Sequence, residues 1–221
     1  MADPLQLDRL ARSSGAFAML AIDQRESMRA MFAEHQSHPV TDLQLTRFKL
    51  AVLKALSPLA SAVLIDRQFG WRAALESRVV AEGSALIAAA DQFSSSSDEI
   101  VSTACIDESV DPLQLKADGA VALKLLVIWR PDESPDTRRQ MVQDFVGRCH
   151  RAGLLSIIEP VSKRPRDGRP WDLNVGIQAA ADELGKMGAD LYKAEVPLKG
   201  QGGEHAVRSA CARLTKAIRG S

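Results

Sequence analysis

Two lysines and a set of carboxylates stand in this sequence where a folded chain rarely tolerates charge. The run Asp190-Leu-Tyr-Lys-Ala-Glu-Val-Pro197 carries apolar or aromatic residues at Leu191, Tyr192, Ala194 and Val196, and reads as a buried strand ended by Pro197. Lys193 and Glu195 interrupt it, and because side chains alternate across a strand they share one face. A second lysine, Lys124, falls in the middle of another apolar run, Ala120 to Trp129. Further apolar runs end on acids at Asp23, Asp66, Asp91 and Glu159. A buried ammonium is costly unless it is paired, so mutual pairing among these groups is one account of the pattern. The other account is chemical. At about 6 Å and an effective dielectric of about 20, a second ammonium opposes the charging of a lysine by about 3 kcal/mol. The free amine favoured in this way is what imine formation with a ketone requires.

Other catalytic chemistries find less support. His35, His38, His150 and His205 fall in expected helices or loops rather than at strand ends, which argues against a His-ligated metal site. No G-x-S-x-G nucleophile elbow occurs. Cys105 lies in a strand-like run and reads as a small core residue. Trp71, Trp129 and Trp171 are too scattered to form a stacking platform for single-stranded nucleic acid.

The elements that must position the lysines follow from the pattern of apolar residues. A short amphipathic helix is expected over Leu5 to Ser14, and a strand over Phe17 to Asp23. Helices are expected from Ser27 to His35 and from Asp42 to Leu56, the second with Leu45, Phe48, Val52 and Leu53 on one face. Ser61 to Asp66 and Ser84 to Asp91 read as strands, although the period of the second also allows a helix. Ser94 to Ser97 reads as a solvated loop, with an extra strand over Val101 to Asp107 and a helical turn from Asp111 to Lys116. Ala120 to Trp129 is the next strand. A helix from Ser134 to Arg151 follows, with Pro135 suited to its first turn and Gly153 just past its end. The strand Leu154 to Pro160 leads into a basic loop, a helix from Asn174 to Met187 and the lysine-bearing strand. A glycine-rich loop and a helix from Glu204 to Ile218 complete the pattern.

Strand followed by helix, about six times over, is the signature of a parallel α/β fold. No G-x-G-x-x-G or G-x-x-x-x-G-K-[ST] follows a strand, which weighs against a nucleotide-binding open sheet. Charged residues at strand C-termini suit a (β/α) barrel, though open sheets bind ligands there too. The 221 residues carry 28 basic and 28 acidic side chains, so bulk attraction to nucleic acid or to a membrane is not expected. With Met1 to Arg12 polar and the apolar stretch after it short, no secretory signal is expected, and no apolar run approaches transmembrane length. Three widely spaced cysteines, Cys105, Cys149 and Cys211, fit free thiols in a reducing cytoplasm.

Four motifs in order, Phe17-Ala-Met-Leu-Ala-Ile-Asp-Gln-Arg25, Ala122-Leu-Lys-Leu-Leu-Val-Ile-Trp129, Ser156-Ile-Ile-Glu-Pro160 and Gly188-Ala-Asp-Leu-Tyr-Lys-Ala-Glu-Val-Pro197, resemble the class I (Schiff-base) ketose-phosphate aldolases. The resemblance runs through nearly the whole chain. It is greatest to the 6-deoxy-6-sulfofructose-1-phosphate aldolases, which act in sulfoquinovose degradation, with the tagatose-1,6-bisphosphate aldolases as the alternative. It implies an α/β TIM (β/α)8 barrel, no metal or other cofactor, a small ketose phosphate as substrate and a homo-oligomer in the cytoplasm. It also implies cleavage to dihydroxyacetone phosphate and an aldehyde, which is 3-sulfolactaldehyde in the sulfo branch.

By motif match, Lys193 would form the imine and Glu159 would act as acid and base. Lys124 would restrain the charge on Lys193 and contact substrate hydroxyls, and Asp23 would orient hydroxyls and the imine. Gln24 and Arg25 would line the mouth of the site. By charge and position alone, Arg164 and Arg166 are candidates for holding a sulfonate or second phosphate. The sequence departs from the family in length: about six β/α units are legible over residues 1–221, read as a single incomplete barrel domain truncated before the last two strands. The competing expectation is therefore a non-catalytic binding protein that keeps the barrel's shape.

Overall fold

The computed structural model describes residues 7–219. In chain order its strands are β1 (Met19–Ile22), β2 (Ala62–Ile65), β3 (Ala85–Ala89), β4 (Asp91–Ser94), β5 (Thr103–Ile106), β6 (Ala120–Trp129), β7 (Leu155–Ser162) and β8 (Leu191–Tyr192). The helices are α1 (Glu26–Ala33), α2 (Asp42–Leu56), α3 (Arg72–Ser77), α4 (Pro112–Ala117), α5 (Pro135–Ala152), α6 (Leu173–Leu184) and α7 (Glu204–Arg219). Six strands form one parallel sheet in the order β1-β2-β3-β6-β7-β8, which follows the chain except that the β4-β5 hairpin is passed over between β3 and β6. Such an order winds in one direction and curls the sheet into part of a barrel. Among the described residues β1 and β8 do not pair with each other, so eight-stranded closure is not seen.

Alternation along the strands separates two apolar layers. Ala62, Leu64, Ile87, Ala89, Ala122, Leu155 and Ile157 pack together on the inner face, where Leu10 joins them. Val63, Ile65, Ala88, Leu123, Leu125 and Ile158 belong to the outer layer under the helices, with Phe145 and Cys149 of α5. With both faces covered, the strands read as continuous apolar runs, as parallel strands do. The inner face borders an open cavity of about 290 Å³ lined by Ala21, Leu64, Ile87, Lys124, Ile157 and Leu191, one from each strand of the sheet, together with Lys193. No helix among the described residues is long and apolar enough to cross a membrane.

Helix ends follow local side-chain chemistry. Thr41 caps α2 by accepting from the Gln44 amide at 3.1 Å, and Asp111 and Asp172 cap α4 and α6 in the same way. Gly153, at φ 68°, turns the chain from α5 into β7. The expected bounds of α2 and β6 coincide with the observed ones.

Several elements differ from expectation. The helix expected over Leu5 to Ser14 is a single 3-10 turn at Leu7–Leu10, with residues 5 and 6 outside the described part. Asp91–Ser94 is a strand rather than a strand end and loop, because it pairs antiparallel with Thr103–Ile106. Between β2 and β3 the chain forms a π turn over Arg67–Trp71 and then α3, neither legible in the apolar pattern. The largest difference concerns the lysine-bearing segment. Its strand is two residues long and bonds to β7 alone, and beyond Tyr192 only the Lys193 amide continues the ladder, to the Ile158 carbonyl at 2.8 Å.

Candidate active site

Lys124 stands at the centre of the inner face, with its side chain 1% exposed. Three carboxylates converge on its ammonium: Asp23 at 3.0 Å, Asp91 at 3.2 Å and Glu159 at 2.7 Å. Register accounts for this meeting. Lys124 on β6 lies beside Ala89 of β3 and Ile157 of β7, two residues short of Asp91 and Glu159 on those paths. Asp23 follows the last residue of β1. An ammonium has three protons, and here each faces a carboxylate. Burial works against the charge on Lys124, but Asp91, Asp23 and Glu159 together hold it firmly as the cation, its pKa raised. Burial likewise pushes the Asp23 carboxyl up, yet the charge and hydrogen bond of Lys124, with a smaller contribution from Lys193, bring it below the usual carboxylate range.

Lys193 has the same parity as Leu191, so it faces the interior although its strand has ended. Its ammonium lies 2.5 Å from Oε1 of Glu159, whose other oxygen meets Lys124. One carboxylate thus bridges two ammonium groups and offsets the bare repulsion expected between them. The Lys193 side chain is 42% exposed, so the segment read as a buried strand is in fact a reachable edge. Glu195, expected beside Lys193 in the ring of charges, instead accepts from the Ser162 amide at 2.7 Å. Burial raises its carboxyl pKa, the Ser162 amide moderates the shift, and the nearby Glu159 charge adds to it.

Arg25, expected at the mouth, is drawn into the cluster. Its guanidinium donates to the Asp91 carbonyl at 2.8 Å, pairs with the Asp91 carboxylate and lies 4.3 Å from the centre of the Phe93 ring. Asp91, noted in the sequence only as a strand-end acid, is therefore the link between Arg25 and Lys124, and its Oδ2 also accepts from the Leu126 amide at 2.9 Å. Gln24 presents an exposed side chain next to this group. The structure thus brings together Lys193, Glu159, Lys124 and Asp23, with Arg25 and Asp91 behind them.

Among the described contacts, neither loop arginine touches these residues. Arg166 is engaged by Glu133 at 2.9 Å and by the hydroxyl and carbonyl of Ser102 at 3.1 Å, which tie this loop to the start of β5. Arg164 is exposed, and its carbonyl accepts from Arg130. Asp66 also leaves the ring. It turns to the outer face and pairs with Lys49 of α2, a buried lysine that apolar periodicity passes over.

A family model described as DeoC/LacD family aldolase matches residues 17–220. Tagatose 1,6-diphosphate aldolase 2 of Enterococcus faecalis is 33% identical over 159 residues, which cover 71% of this chain and 47% of that protein. Tagatose 1,6-diphosphate aldolase of Listeria monocytogenes is 28% identical over 204 residues, covering 87% of this chain and 59% of that protein. The chain thus spans roughly half to three-fifths of the length of these curated relatives. Among solved structures, the fructose-bisphosphate aldolase of Slackia heliotrinireducens superposes with a TM-score of 0.67 at 13% identity, covering 99% of this chain and 71% of that one. An archaeal fructose 1,6-bisphosphate aldolase gives 0.62 at 13% identity, covering 96% and 74%. At such identities the structural likeness speaks for the fold.

Proposed function

The chain belongs to the DeoC/LacD aldolase family, and from that membership we propose that it carries the machinery of a class I aldolase acting on a ketose phosphate. The observation that carries this reading is the Glu159 carboxylate bridging Lys193 at 2.5 Å and Lys124 at 2.7 Å on the inner face of the sheet. Lys193 is the imine-forming residue. It passes a proton to Glu159 and attacks the C2 ketone to give a carbinolamine. Glu159 returns the proton to the departing hydroxyl, water leaves, and an iminium remains as the electron sink. Glu159 then takes the proton of the C4 hydroxyl while the C3–C4 bond breaks. The aldehyde departs, and the enamine on Lys193 is protonated and hydrolysed to release dihydroxyacetone phosphate.

Lys124 stays protonated throughout. With its three protons directed at Asp23, Asp91 and Glu159, its role is to orient these carboxylates rather than to hold a substrate hydroxyl. Asp23 faces the same interior and orients the substrate's hydroxyls. Gln24 and Arg25 flank the entrance. Arg25 does so as the partner of Asp91, and Arg164 is the more available of the two loop arginines for a terminal anionic group because Arg166 is already paired.

The tagatose 1,6-diphosphate aldolases among the relatives support a second phosphate at C6, the alternative in the sequence reading, over the sulfonate expected first. Parallel assays with tagatose 1,6-bisphosphate and 6-deoxy-6-sulfofructose 1-phosphate test that choice. Faster cleavage of the bisphosphate supports it, and cleavage of the sulfonate alone reverses it. A folded protein that cleaves neither and forms no borohydride-reducible adduct is instead a binding module built on the same sheet.

A further inference from the structure

Lys49 sits at the middle of α2, on the stripe it shares with the fully buried Leu45 and Leu53, and is itself 0% exposed. Nothing in the proposed reaction uses it. Its ammonium donates to the carbonyls of Ile22 at 2.7 Å and Gln24 at 2.6 Å and lies 2.6 Å from Oδ1 of Asp66 as an ion pair. The two carbonyls flank Asp23. β1 ends at Ile22, so the chain from there onward lacks a sheet partner on the β2 side, and Lys49 supplies one from behind. Asp66 is equally fixed, since its other oxygen accepts from the Phe69 amide at 2.6 Å at the start of the π turn. Gly70 in that turn is required by the close approach, since a Cβ there would lie 2.5 Å from Ile65 and 3.2 Å from Asp66.

We propose that Lys49 is a positioning residue for this site: from the outer face it clamps the carbonyls on either side of Asp23 and so fixes the Asp23 carboxylate against Lys124 and the Arg25 guanidinium against Asp91. Alternation supports the geometry. Asp23 has the parity of the interior-facing Ala21, so the chain held by its flanking carbonyls presents the Asp23 side chain to the barrel, where Lys124 receives it at 3.0 Å. The inference rests on the aldolase reading only for its consequence in turnover, and the geometry of the clamp stands apart from it.

The test compares Lys49→Met/Asp66→Asn with Asp66→Asn alone. The double variant removes both members of the ion pair, so no uncompensated charge is left in the core, while the amide oxygen introduced by Asp66→Asn can still accept from the Phe69 amide. The single variant keeps Lys49 on both carbonyls. The charged groups around Asp23 are Lys124 and Lys193, with Asp91 and Glu159 on the far side of Lys124.

The expected result is at least a tenfold loss of kcat in the double variant with KM within about twofold of the parent, and less than a threefold loss in Asp66→Asn. The titration of Asp23, followed by carboxyl carbon NMR and identified with Asp23→Asn, shifts upward in the double variant only, and this readout holds whether or not the protein turns over a sugar. Equal losses in the two variants assign the effect to the ion pair and overturn the clamp. An unchanged Asp23 titration and kcat in a folded double variant also overturn it. Should the double variant not fold, Lys49→Gln, whose amide reaches one carbonyl, is read by the same titration, and no shift there counts against the proposal. A normal Asp23 shift in a protein without aldolase activity refutes the proposed reaction but leaves the clamp in place.

Discussion

Replacing Lys124 by Met tests the electrostatics of the cluster independently of catalysis. The substitution keeps a flexible apolar stem of similar length but removes the cation on which Asp23, Asp91 and Glu159 converge at 2.7–3.2 Å. At an effective dielectric of about 20, each unit pair at about 3 Å attracts by about 5 kcal/mol before desolvation is counted. Desolvation cancels most of this in the parent, but removing Lys124 leaves Asp23 buried without a direct ion pair, while Asp91 keeps Arg25 and Glu159 keeps Lys193, at a cost of about 3–5 kcal/mol. In a chain of 221 residues 1 kcal/mol moves Tm by roughly 2–4 °C, so Tm at neutral pH should fall by about 6–20 °C.

The pH dependence fixes the cause. In the parent, Asp23 has a lowered pKa, so its contribution is present above the ordinary carboxylate pKa and is lost as pH falls through the lower folded value. In Lys124→Met the buried Asp23 carboxylate, without its main partner, takes up a proton more readily than in the unfolded chain, so the variant gains relative stability as pH falls. The difference in Tm between the two should therefore narrow below about pH 5. Thermal melts by circular dichroism from pH 4 to 8 read both quantities. A loss of less than about 2 °C at neutral pH, or a gap that does not change with pH, would refute the reasoning.

Ser156 is fully buried, donates to Asp190 at 2.7 Å and accepts from the Asp190 amide at 3.1 Å, joining the start of β7 to the chain entering β8. Ser156→Ala should cost about 1–3 kcal/mol by urea unfolding and loosen the Lys193 edge, and a change below about 0.5 kcal/mol would contradict that role. Glu195 has a raised carboxyl pKa led by burial, so its charge increasingly disfavours the folded state as pH rises from the ordinary carboxylate range through that raised value. Glu195→Gln, which can still accept from the Ser162 amide, should raise Tm at neutral pH and lose that advantage near about pH 4. An equal effect at both values would exclude desolvation as the cause.

Much of this architecture is legible in the sequence because its strands are covered on both faces. Ala120–Trp129 is a continuous apolar run, and its one charged residue marks the centre of the site. Asp23 and Glu159 can be located for the same reason, as acids at the ends of apolar runs. Three features resist sequence reading, each for a physical cause. Lys49 occupies a core position on α2, where periodicity assigns an apolar side chain and cannot foresee two carbonyls and a carboxylate at the far end. Asp91 begins a strand whose partner lies beyond a serine-rich loop, a pairing that local pattern does not encode. The alternation in Asp190–Pro197 suggests a long buried strand, but an edge bonded on one side ends after two residues and leaves Lys193 half exposed. Charge alone points to Arg166, and charge cannot reveal that Glu133 and Ser102 already hold it.

The most direct measurement is borohydride reduction of the protein with dihydroxyacetone phosphate, followed by peptide mass spectrometry. A single reduced adduct is expected on Lys193, one that disappears in Lys193→Ala and forms far more slowly in Glu159→Gln. No adduct on folded protein, or an adduct on Lys124 in place of Lys193, would contradict Lys193 as the imine-forming residue.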